Sequence, residues 1–145
     1  MPELEQMSEI KGISHIALVV PDIEIAWKQF AVLGYEEASD GIIEEKDYGI
    51  RAKVISYGDI TIELLSPLGE PDTSPYADQL KQNRYCMDHI CYDVFDLDAA
   101  VERLKGHRFA PISKPRITTV WNRRAVLLAN RRMGVVELME CNHVG

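Results

Sequence analysis

Residues 14–27 read SHIALVVPDIEIAW, and residues 88–101 read DHICYDVFDLDAAV. In each stretch a histidine, His15 or His89, stands at the second position, directly before a mostly apolar run. The two stretches lie 74 residues apart, and apolar residues match apolar residues through most of their length. Similarity at a fixed offset is typical of a duplicated structural unit. The chain is therefore predicted to contain two copies of one module.

A second pair of segments has the same offset. TIELL at residues 61–65 aligns with VVELM at residues 135–139, so that Glu63 aligns with Glu137. The spacing from histidine to glutamate is 48 residues in both copies. The repeat therefore extends over a whole module, and each copy contributes one histidine and one glutamate.

Each copy predicts the element order βαβββ. Asp22 and Asp96 are the expected helix N-caps, because apolar residues recur at helical spacing after each of them, and Gly34 and Gly106 are expected to close the helices. Apolar runs rich in β-branched residues predict the strands. The expected strands are 13–20, 42–45, 50–57 and 60–65 in the first copy, and 87–94, 110–112, 124–129 and 135–140 in the second. We expect a single domain, 1–145, with module one at about 13–67, a linker with a short helix from Pro75 at about 68–84, and module two at about 85–141.

Composition limits the class of protein. An apolar content of 46% is ordinary for a globular chain. The start of the chain does not resemble a secretory signal, and no apolar run reaches the roughly 18 residues of a membrane span. Three cysteines form no CxxC pair, which favours a reduced, cytoplasmic protein. No contact with a membrane is expected.

Charge is distributed unevenly along the chain. The first 102 residues hold 7 basic and 21 acidic groups, a net of −14, whereas the last 43 hold 9 basic and 2 acidic groups, a net of +7. The cationic third predicts either a local anion site or a basic face that docks onto the acidic part or onto a second copy. Nucleic acid is not an expected partner, because the whole chain is acidic and has no basic motif with interspersed aromatic residues.

The strand period of two places the repeated polar residues on one face. In the first strand His15 shares a face with Ala17 and Val19, opposite the set expected beneath the helix. Glu63 has the same placement in the fourth strand. The repeat extends this to His89 and Glu137. Two imidazoles and two carboxylates suit a divalent ion such as Zn, Co, Ni, Mn or Fe. If the modules pair about a pseudo-twofold axis, these four side chains bind one ion.

These segments resemble the vicinal oxygen chelate superfamily, and within it the methylmalonyl-CoA epimerase family. The resemblance covers residues 13–140 and rests on SHIALVVPD, ITIELLSPLGE, MDHICYDVFDLDAAVERLK and GVVELME. It implies an α+β fold in which two paired βαβββ modules form a curved eight-stranded mixed sheet. It also implies a homodimer, and it assigns the metal ligands as His15, Glu63, His89 and Glu137.

The resemblance further implies an isomerase or epimerase that moves a proton alpha to a carbonyl, through a metal-stabilised enolate of an anionic acyl substrate. Glu137 and Glu63 are the predicted catalytic residues. A glyoxalase I-like lyase and a non-catalytic small-molecule binding protein of the same fold are the alternatives. Ala52 stands where some members carry a proton-transferring glutamate.

One segment departs from the family pattern. The glycine-rich stretch and HPK that the family associates with the CoA thioester are replaced here by ITTVWNRRAVLLANRRMG. Within it Trp121, Asn122, Arg123 and Arg124 are predicted to bind substrate, because arginine suits bidentate capture of carboxylate or phosphate. Trp121 could instead be a packing residue on the module surface. We expect a small anionic substrate, either a CoA thioester or another anion, that differs from methylmalonyl-CoA.

Overall fold

The computed structural model describes residues 7–69, 76–82 and 85–141, which form ten strands and three α-helices. The strands are β1 Ile10–Val19, β2 Glu36–Glu37, β3 Ile43–Glu45, β4 Ile50–Tyr57, β5 Ile60–Pro67, β6 Cys86–Val94, β7 Ala110–Pro111, β8 Arg116–Ile117, β9 Arg124–Asn130 and β10 Gly134–Glu140. The helices are α1 Ile23–Leu33, α2 Ala77–Gln82 and α3 Leu97–Lys105. The predicted linker helix is thus present as α2, although its expected start at Pro75 lies outside the described residues.

The predicted α+β class and the order of elements are confirmed. Ten strands replace the eight expected because one edge strand in each module is divided: β2 and β3 both pair with β4, and β7 and β8 both pair with β9. A serine hydroxyl accepts a backbone hydrogen bond beside each division. Ser39 accepts from the amide of Val54 at 3.0 Å, and Ser113 accepts from the amide of Leu127 at 2.9 Å. These two serines are 74 residues apart, so the repeat includes the division.

The chain divides into two compact units that do not coincide with the two sequence modules. The first unit contains the described parts of 15–89 and 118–122, and the second contains those of 1–14, 90–117 and 123–145. Local contacts explain the exchanged segments. In the second unit the amide of Phe95 donates to the carbonyl of Glu9 at 3.2 Å. In the first unit the amide of Val120 donates to Oε1 of Glu45 at 2.9 Å.

In the first unit the strand order is β2–β4–β5–β1, with α1 packed on one face. Asp22 caps α1 by accepting from the amide of Ile25 at 3.1 Å, and Gly34 ends it at a φ of 107°, which favours glycine. The core beneath α1 contains Val20, Ile23, Ile55, Ile62 and Leu64. The core on the opposite face contains Ala17, Val19, Ile50, Ala52 and Leu65. Both faces of this sheet are therefore buried.

The second unit repeats this arrangement with the strand order β6–β10–β9–β7. Strands β1 and β5 are parallel with Ile16 opposite Ile62, and β6 and β10 are parallel with Ile90 opposite Val136. The register is therefore conserved across the 74-residue offset. Asp96 caps α3 through the amide of Ala99 at 3.1 Å. The core against α3 contains Val94, Leu97, Ala100, Leu104, Val126, Leu128, Val136 and Leu138.

The helices are short. They contain 11, 6 and 9 residues in chain order. Within residues 7–69, 76–82 and 85–141, none of them combines the length and the apolar character that crossing a bilayer requires.

Candidate metal site

Three of the predicted ligands lie together in the first unit. His15, Glu63 and His89 are 1%, 6% and 5% exposed, and one candidate ligand atom from each lies within 4.8 Å of the others. Nε2 of His15 is 3.5 Å from Oε1 of Glu63. The two imidazole centroids are 6.1 Å apart, and the ring planes meet at 69°. The first unit therefore contains a buried group of two imidazoles and one carboxylate.

Strand geometry places this group as the period of two predicts. On β1, Leu18 packs beneath α1, whereas Ala17 and Val19 pack on the opposite face, which His15 also shares. Glu63 lies directly opposite Ala17 in the parallel β1–β5 pair. Because Ala17 is two residues from His15, the imidazole and the carboxylate are neighbours on one face of the sheet.

Trp121 contacts two of the three candidate ligands. Its indole ring stacks on the imidazole of His15, with the centroids 4.3 Å apart and the planes 11° from parallel. Its Nε1 donates to Oε2 of Glu63 at 3.0 Å. The amide of Trp121 also donates to the hydroxyl of Thr118 at 3.0 Å, which fixes the short loop that carries the indole. Trp121 therefore holds the ligand cluster directly, and its role in substrate binding stays a prediction.

Asn122 follows in the same loop. Its amide donates to the carbonyl of Thr118 at 2.9 Å, and its φ of 52° lies in the left-handed region that asparagine tolerates better than most residues. This backbone turn ends the loop. Contact of the Asn122 side chain with substrate stays a prediction.

The donor set fits a divalent ion. Nitrogen and oxygen ligands lie about 2.0–2.2 Å from Zn²⁺, so two ligands of one ion are at most roughly 4.4 Å apart. Nε2 of His15 and Oε1 of Glu63 are 3.5 Å apart, which is inside that span. A carboxylate as buried as that of Glu63 is costly in an apolar interior, and a cation offsets that cost. His15, Glu63 and His89 would hold the ion, which would act there as a Lewis acid.

Glu137 occupies the equivalent place in the second unit. It lies opposite Cys91 in the parallel β10–β6 pair, as Glu63 lies opposite Ala17 in the first unit. Oε1 of Glu137 is inaccessible to solvent. The structural repeat therefore extends to this carboxylate, and its assignment as the fourth ligand stays a prediction.

The two predicted substrate-binding arginines form ion pairs within the second unit. Nη1 of Arg123 donates to Oδ1 of Asp93 at 2.9 Å. Nη1 of Arg124 donates to Oε2 of Glu140 at 3.3 Å, and its Nη2 donates to Asp98. The hydrogen bond to Asp98 is the main cause that raises the pKa of Arg124. Arg124 thus links β9, β10 and the first turn of α3, whereas Arg123 pairs with Asp93 on β6.

Asp88 is a further residue of the site, and the sequence patterns did not predict it. Its Oδ2 is 2.7 Å from Nδ1 of His89. The aligned residue of the first copy is Ser14, so the carboxylate occurs in only one of the two copies. This difference between the two copies could have indicated Asp88, because only one of the two histidines has a charged residue directly before it.

Comparison with known proteins identifies the class. The model of the glyoxalase/bleomycin resistance protein/dioxygenase superfamily matches residues 14–126. The chain belongs to this superfamily, which confirms the predicted fold.

The particular similarity is to methylmalonyl-CoA epimerases. The chain is 39% identical over 112 residues to the ethylmalonyl-CoA/methylmalonyl-CoA epimerase of Cereibacter sphaeroides, covering 74% of this chain and 81% of that protein. The crystal structure of methylmalonyl-CoA epimerase from Mycobacterium tuberculosis matches 94% of this chain and 92% of its own, with a TM-score of 0.81 and 23% identity. A Streptomyces coelicolor methylmalonyl-CoA epimerase in complex with 2-nitronate-propionyl-CoA covers 93% of this chain and 97% of its own, with a TM-score of 0.79 and 19% identity. These relatives are isomerases, as the sequence predicted, rather than lyases or binding proteins.

Proposed function

We propose that this protein is a divalent-metal-dependent epimerase. It inverts the configuration at the carbon alpha to the thioester carbonyl of an anionic acyl-CoA. The buried cluster of His15, Glu63 and His89 is the observation that carries the proposal, because its donors suit a Lewis-acidic ion. The 39% identity to an epimerase of alkylmalonyl-CoA substrates supports the reaction class.

The proposed reaction needs a proton to leave one face of the alpha carbon and to return on the other. A divalent ion bound in this site would withdraw electron density from the thioester oxygen, which makes the alpha C–H bond more acidic. We assign the proton transfers to the carboxylates of Glu137 and Glu63, since a positioned carboxylate is a competent general base. The neutral imidazoles of His15 and His89 are assigned to bind the metal ion. The repeat assigns Glu137 as the fourth ligand of that ion.

The proposed substrate is a CoA thioester with an ionised carboxylate on the acyl group. The complex of the Streptomyces coelicolor epimerase supports a CoA thioester. The loop with Trp121 and Asn122, followed by Arg123, is the proposed recognition element, whereas the guanidinium of Arg124 is engaged by Glu140 and Asp98. Its basic character complements an anion, and its sequence replaces the family's glycine-rich stretch, so we expect a substrate other than methylmalonyl-CoA itself.

Exchange of the alpha proton into deuterium tests the proposal. Metal-loaded protein is incubated in D₂O with methylmalonyl-CoA and ethylmalonyl-CoA, with propionyl-CoA as the control that lacks the acyl carboxylate, and the alpha signal is followed by NMR. We expect fast exchange of at least one carboxylated thioester and slow exchange of propionyl-CoA. Absence of exchange in both carboxylated thioesters, with metal demonstrably bound, would exclude an epimerase of alkylmalonyl-CoA substrates.

Truncating Arg123 is expected to weaken substrate binding. A guanidinium carries five N–H donors, and Arg123 bonds Asp93 through one nitrogen, so a contact with an anion is chemically open to it. A desolvated charge-assisted contact contributes about 1.5–3 kcal/mol, or roughly 10- to 150-fold in affinity. Calorimetry should therefore find that Arg123→Ala binds the carboxylated thioester more than tenfold more weakly than the parent.

Arg124→Ala is the comparison for this experiment. Two nitrogens of Arg124 already bond Glu140 and Asp98, so its loss should lower thermal stability more than affinity. Metal content should stay unchanged in both variants. If Arg123→Ala binds within threefold of the parent, this loop does not hold the anion.

We infer that the protein assembles as a homodimer. Large apolar side chains at its surface support this, among them Val32 at 81% and Tyr85 at 75% exposed. Light scattering at micromolar concentration should give about twice the chain mass of 16.4 kDa. A mass equal to that of one chain at the same concentration would contradict the assembly.

We also infer a cytoplasmic location. Cys86, Cys91 and Cys141 all lie within the described residues and form no disulfide there. Burial, followed by the Asp88 carboxylate, raises the pKa of the Cys86 thiol, which favours its protonated form. Such thiols are usual in a reducing compartment.

A further inference from the structure

A chain of hydrogen bonds connects the linker helix α2 to the candidate metal site. Nε2 of Gln79 donates to Oδ1 of Asp88 at 3.2 Å, and Oδ2 of Asp88 is 2.7 Å from Nδ1 of His89. The side chain of Asp88 is 16% exposed and that of His89 is 5% exposed. Both oxygens of the carboxylate are therefore engaged in a largely dry setting, where hydrogen bonds to a charged group are strong.

The helix that carries Gln79 is itself fixed. Leu80 of α2 and the preceding Tyr76 pack against the core that contains Ala17 and Val19. Ala17 and Val19 lie on the same face of β1 as His15. The packing of α2 therefore fixes the position of the Gln79 side-chain amide relative to the strand face that carries the ligands.

A carboxylate at Nδ1 determines which ring nitrogen of the imidazole can bind a metal. With Asp88 accepting from Nδ1–H, the lone pair of His89 resides on Nε2. The same contact restricts rotation of the ring and makes Nε2 a stronger donor. His15 has a different support, since it stacks on Trp121.

We infer that Asp88, oriented by Gln79, is a positioning residue that fixes the tautomer and orientation of His89 for metal binding. This inference rests on the proposed metal site and not on the identity of the substrate. It assigns a task to a carboxylate that the 74-residue repeat does not share, because the first copy has Ser14 at that position. It also makes α2 a structural support of the metal site as well as a connection between modules.

The test compares Asp88→Ala with Asp88→Asn in metal-free protein. Affinity for Zn²⁺ and Co²⁺ is measured by competition with a chelator, and the His89 tautomer is read from long-range ¹H–¹⁵N NMR of the imidazole. Loss of such an outer partner typically lowers metal affinity 10- to 100-fold. We expect that loss in Asp88→Ala, together with a change from the Nδ1–H tautomer to a mixture. Asp88→Asn should remain within about threefold, because its amide oxygen still accepts from Nδ1–H.

Two further variants complete the design. Gln79→Ala should weaken metal affinity less than Asp88→Ala, because it removes only the orienting bond to the carboxylate. Asp78→Ala removes an exposed carboxylate from the same helix and should leave affinity unchanged. Thermal unfolding of the metal-free variants checks that each one folds.

Either of two results would overturn the inference: unchanged affinity and tautomer in Asp88→Ala, or a loss in Asp88→Asn as large as that in Asp88→Ala. Failure of the proposed function gives a different result. In that case the parent binds metal and the Asp88 series behaves as expected, but no thioester exchanges its alpha proton.

Discussion

The His89→Ala variant is expected to lose its divalent ion, whereas the parent protein retains one ion per chain. His89 is 5% exposed and lies in the cluster with His15 and Glu63. Because the position is buried, an exposed side chain cannot readily replace its imidazole as a metal ligand. Altering a group outside the ligand shell already lowers metal affinity 10- to 100-fold. Removing a ligand should therefore lower affinity by more than about 100-fold and abolish measurable epimerisation. Elemental analysis after purification without chelators provides the measurement.

His107→Ala is the matched control, because His107 is an exposed histidine outside the cluster. It should retain both the metal and the activity of the parent. The decisive negative result concerns the parent itself. If it contains no metal after purification and takes up none on reconstitution, the metal-dependent epimerase is ruled out, and a binding role becomes the better explanation.

The second large effect is expected from Glu137→Gln. This change keeps the size of the side chain and an oxygen donor but removes the carboxylate that we assign to proton transfer. General-base catalysis contributes about 10²- to 10⁴-fold, so alpha-proton exchange should slow by that factor. The rate is measured by NMR in D₂O at saturating metal, so that weaker metal binding does not contribute.

Glu102→Gln serves as the control for this change. Glu102 lies on α3, where it pairs with Lys105 at 2.8 Å, and its substitution should leave exchange within twofold of the parent. A rate for Glu137→Gln within threefold of the parent would remove Glu137 from the proton-transfer step. Glu63 would then be the remaining candidate among the assigned carboxylates.

The sequence by itself determined the duplicated architecture. The 74-residue offset predicted a common register, and the structure has Ile16 opposite Ile62 and Ile90 opposite Val136. Strand alternation predicted that His15 and Glu63 share a face. The alternation of side chains between the two faces of a sheet is sufficient for this prediction. Asp22 and Asp96 capped the helices as expected, because capping is a local property of a few residues.

Only the tertiary structure decided what surrounds each candidate ligand. Trp121 bonds Glu63 across 58 residues, and Gln79 reaches Asp88 from the linker helix. Neither contact follows from periodicity, because each depends on how a loop or a short helix packs against the sheet. The divided edge strands were also not predicted, because each division is accompanied by a serine hydroxyl that accepts from an amide of a neighbouring strand, which is a long-range contact. Local patterns therefore determined which face holds the site, and long-range packing determined which residues hold its ligands in place.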